Sequence, residues 1–211
     1  MATGEKLNMF ATEARQYLAE RILRPRIGLL WLLLLAGVAL ADSVELDRLP
    51  LLALAGALFI LAFRLWDDLA DREHDRLRHS RRCLVGSADV YPFHLAQWLL
   101  LAALAGLIGM LTDAVRALAF LGLLVAFLAL YRATRNRPDL RRLREVLVLA
   151  KYPAFVLLLA RRPDAPVALL AAFGVYLPPL LDEARGAGAG ILAPAALFMG
   201  LLFLAWLGLT T

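Results

Sequence analysis

The chain has 211 residues, 62% of them hydrophobic and 19% charged, with a formal net charge of +5. A soluble domain is closer to half apolar, so this composition excludes an ordinary soluble enzyme. Runs of roughly 18 or more apolar residues mark membrane-spanning helices, and several occur here. Only helices and closed barrels satisfy the backbone in lipid. The expected fold is therefore all-α: a polytopic helical bundle forming one membrane domain over residues 1–211. The basic residues read as topology signals, with no nucleic-acid partner implied. Cys83 is the single cysteine, so no internal disulfide can form.

Residues 1–26 form the first element. "LNMFATEARQYLAERILRPR" puts Leu7, Phe10, Tyr17 and Leu18 on one helical face, the pattern of an interfacial helix lying on the bilayer. Pro25 breaks that helix. No cleavable signal peptide is expected, because the apolar run that follows is long enough to remain as a span. About seven spans are expected, near 27–41, 49–66, 92–112, 114–131, 145–160, 165–181 and 191–209. Five of the Lys and Arg residues fall in 1–26, five in 67–91, six in 132–144 and one in 182–190. The intervening loops hold only Arg48, Arg116, Arg161 and Arg162. By the positive-inside rule the first set is cytoplasmic, which places the N-terminus inside. The expected location is a bacterial cytoplasmic membrane, with lysine scarce beside arginine as in high-GC genomes.

Between the second and third spans lies "RLWDDLADREHDRLRHSRR", residues 64–82. At about 100° per residue, Asp67, Asp68, Asp71 and Asp75 share an arc of roughly a quarter turn, and Arg64 falls in the same arc. One explanation is a salt-bridged helix end, with pairs such as Asp68–Arg72 and Glu73–Arg76. Against it, Asp67, Asp71 and Asp75 form a like-charged ladder, each pair of which costs about 0.2–0.5 kcal/mol on an exposed helix. Carboxylates on one stripe suit Mg²⁺, which takes oxygen ligands from one or two carboxylates plus substrate phosphates. The pattern favours metal–phosphate binding. Arg64 then either binds diphosphate or neutralises Asp68.

This stretch resembles the first aspartate-rich motif, N-D-x-x-D-x-x-x-D, of the UbiA superfamily of intramembrane prenyltransferases. Asp68, Asp71 and Asp75 match its three aspartates, and Asp67 stands where the family has Asn. "DRLRHSRRCLVGSADV" resembles the D-r-x-x-x-x-x-R-P-L-x-x-G continuation, with Arg82 at the Arg and Cys83 in place of Pro. "ILRPRIGLLWLLL" resembles the start of the family's first span, and Tyr131 with Arg135 resembles its Y-x-x-x-K. Together these cover about two thirds of the chain.

The resemblance implies a bundle whose cavity opens to lipid, with the site on the cytoplasmic side. Asp67, Asp68, Asp71 and Asp75 would bind Mg²⁺, with Asp68, Asp71 and Asp75 as the catalytic aspartates. The ion would hold the diphosphate of an isoprenoid substrate, with Arg64, Arg82, Arg135 and Lys151 as its cationic contacts. Ionisation leaves an allylic cation for an acceptor to capture. The family's second motif, D-x-x-x-D, has only Asp182 and Glu183 at the corresponding place, where they are the remaining candidate metal ligands. The family commonly has nine spans, so a second copy or another subunit is expected to complete the bundle. Lys151, mid-span, would cost roughly 2.5–3.5 kcal/mol at the bilayer centre, so it is expected to face a cavity or a partner. Pro153 is expected to kink that helix. The function expected is prenyl transfer from an isoprenyl diphosphate to an acceptor. The alternatives are a terpene cyclase of the same superfamily and a non-catalytic isoprenoid- or lipid-binding subunit derived from it.

Overall fold

The computed structural model describes residues 3–42, 44–80, 82–134, 137, 140–161 and 165–187. Among them there is no strand. In chain order the helices are α1 (Thr3–Tyr17), α2 (Pro25–Ala41), α3 (Leu49–Ala70), α4 (Arg72–Arg78), α5 (Cys83–Gly86), α6 (Tyr91–Leu111), α7 (Ala114–Thr134), α8 (Arg141–Leu149), α9 (Lys151–Leu159) and α10 (Ala165–Ala187). A π-helical turn, Leu18–Ile22, extends α1, and a 3₁₀ turn, Leu46–Arg48, leads into α3. Prolines mark the starts. Pro25, Pro50, Pro92 and Pro166 each occupy the first or second position of a helix, where a missing N–H goes unmissed.

Among the described residues, three stretches are long and apolar enough to cross a membrane: Leu46–Ala70, Tyr91–Leu111 and Ala114–Thr134. A fourth counts if Asn8–Ile22 and Pro25–Ala41, bent by 72°, make one broken span. The fifth expected span, 145–160, takes in the end of α8 and all of α9, two helices of nine residues each with Ala150 between them. Pro153 explains the break. It has no N–H to give the Leu149 carbonyl four residues back, and its ring clashes with that carbonyl. Where the sequence predicts a kink at Pro153, the chain instead ends one helix and starts another. The expected sixth span lies within α10, and the expected seventh, 191–209, lies outside the described residues.

The helices sort into two compact units, Met1–Leu32 with Pro50–Leu107, and Leu33–Leu49 with the described residues from Ile108 on. In the first, Tyr17, Leu65, Cys83, Leu84 and Phe93 form a buried cluster, with Phe10 and Ile22 packed against it. Phe10 and Tyr17 meet the Phe93 ring edge-on, at 5.2 and 6.1 Å between centroids. This departs from a helix whose apolar face lies on lipid: two of the expected membrane-facing residues pack on protein instead, and Tyr17 is buried.

In the second unit α9 and α10 pack closely. Tyr176 is fully buried and donates its hydroxyl to the Val146 carbonyl at 3.3 Å. Three arginines that read as topology signals tie this unit's loops together. Arg48 Nη2 and Arg161 Nε both donate to the Leu111 carbonyl, at 3.0 and 2.7 Å. The Arg161 N–H donates to Asp42 Oδ2 at 2.7 Å, and Arg116 Nη2 donates to the Arg161 carbonyl at 3.0 Å.

Gly37 of α2 sits where α9 and α10 come close. A Cβ there would lie 2.5 Å from Val175 Cγ2 and 3.1 Å from Val156 Cγ2. Both valines are buried and stiff at χ1. Gly37→Ala should therefore cost about 1–3 kcal/mol through overpacking. Gly122→Ala in α7, whose Cβ meets nothing within 4 Å, should be neutral or stabilising by up to about 1 kcal/mol. Denaturant titration of both variants in detergent checks the pair; equal effects would count against the close approach at Gly37.

Candidate functional site

The acidic stretch does not lie on one uninterrupted helix. Asp67 and Asp68 end α3, while Asp71 occupies the junction with φ −91° and ψ 4°, and Asp75 belongs to α4. The i→i−4 hydrogen bonds persist across the junction: Asp71 N–H donates to Asp67 O, and Asp75 N–H to Asp71 O, both at 2.9 Å. Burial nonetheless divides the four. Asp68 and Asp75 are buried, Asp67 is half-buried and Asp71 is exposed.

Each buried aspartate meets a guanidinium. Arg21 grips Asp68 with two nitrogens, Nε to Oδ2 at 2.9 Å and Nη2 to Oδ1. Tyr17 adds its hydroxyl to Oδ2 at 3.0 Å, and Arg64 Nε stands 3.6 Å from the same oxygen. Asp75 Oδ2 accepts from Arg82 Nη1. The Asp68–Arg72 pair of the salt-bridged alternative does not form. Arg72 turns instead to carbonyls, with Nε donating to Leu84 O and Nη2 to Ser87 O, both at 2.8 Å. Arg64 Nε is buried with no hydrogen-bond acceptor.

Tyr17 and Arg21 are site residues that sequence reasoning missed. Four residues apart, they share one helical face, and the turn between them is π-helical, with Leu23 N–H donating to Leu18 O at 2.8 Å. Such turns are rare and recur at functional sites. The one signal available in the sequence was a tyrosine on an apolar face four residues before an arginine.

The other candidates are placed as follows. Lys151, the first residue of α9, is buried with its ammonium 5.5 Å from the Tyr152 ring centroid. Asp182 is exposed near the end of α10. Arg135 and the Glu183 side chain lie outside the described residues. Among the described residues no group of three or more His, Cys, Asp or Glu converges to hold a metal ion. With Asp68 and Asp75 both turned to guanidiniums, the donor set as placed does not fit Mg²⁺. Comparison with protein-family models, curated proteins and solved structures finds no match.

Cys83 begins α5. Its N–H donates to Glu20 Oε2 at 3.1 Å, and its thiol donates to the Glu13 carbonyl at 3.2 Å. Ser87 Oγ donates to Glu13 Oε2 at 3.0 Å. A proline would fit the backbone here. The first position of a helix tolerates it, and Arg82 before it is extended, at φ −68° and ψ 141°, as a residue preceding proline must be. What proline lacks is the N–H that Glu20 takes. Cys83→Pro should therefore lose about 1.5–3 kcal/mol, the worth of a hydrogen bond to a charged group, whereas Cys83→Ala keeps that bond. Equal losses in chemical unfolding would mean the Glu20 contact contributes nothing.

Burial pushes the Cys83 thiol up from 9.0 to about 11, with the Glu20 and Glu13 carboxylates adding to the shift. The folded chain thus holds this proton more tightly than the unfolded chain. That contribution is full below pH 9.0 and lost as pH rises through about 11. Unfolding midpoints measured across this window should fall for the wild type, and the fall should shrink in Cys83→Ser.

Proposed function

We propose that this chain is a UbiA-type integral-membrane prenyltransferase, moving an isoprenyl group from an isoprenyl diphosphate to an acceptor at the cytoplasmic face of a bacterial membrane. The reading takes the bundle as having about seven spans with the N-terminus inside. A second copy or another subunit would complete the cavity wall. The observation that carries it is Arg64: a guanidinium on a membrane-length helix, one turn from the acidic stretch, whose buried Nε makes no hydrogen bond and has only the longer ion pair to Asp68, at 3.6 Å. A phosphate oxygen is the acceptor such a donor suits, because charge-assisted hydrogen bonds are the strong ones.

Arg64 and Arg82, both in the first unit, are the cations this reading assigns to the diphosphate. Positive charge there stabilises the diphosphate as it leaves. Apolar walls keep water from the allylic cation. The Mg²⁺ that the resemblance implies would supply further charge to the leaving group, but no ligand set for it stands among the described residues. The non-catalytic reading, an isoprenoid-binding subunit, gains support from the same fact, since Asp68 and Asp75 are already engaged by arginines.

The test is thermal stability of the detergent-purified chain with isoprenyl diphosphates of several lengths, with and without Mg²⁺. Wild type should gain about 2.7 kcal/mol at a hundredfold excess over Kd, and Arg64→Met should lose most of that gain. No shift with any diphosphate, Mg²⁺ present or absent, would sink the assignment. A shift without prenylated product in lipid-extract mass spectrometry would leave the binding subunit as the function.

A further inference from the structure

The residues that grip Asp68 both come from the amino-terminal segment, at sequence separations of 51 for Tyr17 and 47 for Arg21. Both carboxylate oxygens are occupied, and the Asp68 residue is 7% exposed. A magnesium ligand needs an oxygen lone pair open at about 2.0–2.1 Å in near-octahedral geometry. Here Arg21 covers both oxygens and Arg64 stands 3.6 Å away, so two positive charges already occupy the approach. Removing either partner of such a pair leaves a buried charge unanswered.

The same segment makes three more polar contacts, all on α5 and the residue after it. Glu20 accepts from the Cys83 N–H, the Glu13 carbonyl from the Cys83 thiol, and the Glu13 carboxylate from Ser87 Oγ. Those contacts cover Cys83, which is 8% exposed. None of the three is a bidentate ion pair; the Arg21–Asp68 contact alone has that strength.

We infer that Asp68 is the anchor that locks the amino-terminal helix over α5, and that it is not a cation ligand. Tyr17, just before the π turn Leu18–Ile22, and Arg21 within it close the lock on one carboxylate. Opening the lock lifts the helix and bares Cys83. The inference stands apart from prenyl transfer, since it concerns what holds the helix and needs no substrate.

Cys83 is the chain's only cysteine and so reports on the lock directly. The experiment measures the rate of its alkylation by N-ethylmaleimide in the full chain, purified in detergent. Helix content is followed by circular dichroism. Buried groups react through local opening, so Asp68→Asn and Arg21→Met should each speed alkylation by roughly tenfold or more, the consequence of losing a charged hydrogen bond. Arg21→Lys, which keeps the charge without the two-pronged geometry, should restore part of the protection, and Tyr17→Phe should give a smaller acceleration. Should Asp68→Asn fail to fold, these last two variants carry the test. Millimolar Mg²⁺ should leave the wild-type rate unchanged. A saturable rise in rate with Mg²⁺, absent in Arg21→Met, would show the ion displacing Arg21 and would overturn the inference. Unchanged rates in every folded variant would overturn it equally.

Discussion

A carboxylate taken out of water must be answered by charge or by hydrogen bonds, and in the first unit that requirement organises the rest. Asp68 ends a membrane-length helix, and its partners lie on the amino-terminal segment. Satisfying it draws α1 against the protein. That placement turns Phe10 and Tyr17 onto Phe93, sets Glu13 and Glu20 opposite α5, and buries Cys83. Tyr17 and Arg21, four residues apart, share a helical face and reach the one carboxylate together, so one buried charge is fully paired.

The second unit meets a related problem with backbone acceptors. The Leu111 carbonyl ends α6, where helix carbonyls lack partners within the helix, and it takes two guanidiniums. Cations at a helix C-terminus also answer its dipole. The arginines that the positive-inside count treats as sparse exceptions thus hold the loops that join the helices. At Gly37 the constraint is steric: α2 approaches α9 and α10 so closely that no side chain fits.

The helical class, three of the expected spans and the place of the acidic stretch at the end of one of them were legible in the sequence, because apolar length and charge pattern are local properties. The sharing of the acids among partners was not. A helical wheel assumes an unbroken helix, and the junction at Asp71 defeats it, leaving Asp71 exposed between buried neighbours. Arg72 sits at the right spacing for Asp68, yet two carbonyls claim it. Arg21 wins that carboxylate from 47 residues away, and no local pattern encodes such competition. The break at Ala150 lay closer to reach, since Pro153 fixes it through the carbonyl four residues earlier.

That break has a consequence for how the chain is made. Nine residues of α-helix extend about 14 Å, less than half of a hydrocarbon core of roughly 30 Å. Neither α8 nor α9 offers the insertion machinery a segment it would release sideways on length and apolarity alone, and α9 begins with a buried lysine. Both helices pack on α10, which is synthesised after them. The earlier segments meet this packing partner only after the later helix has been made, so the contacts that hold them are among the last this part of the chain can form.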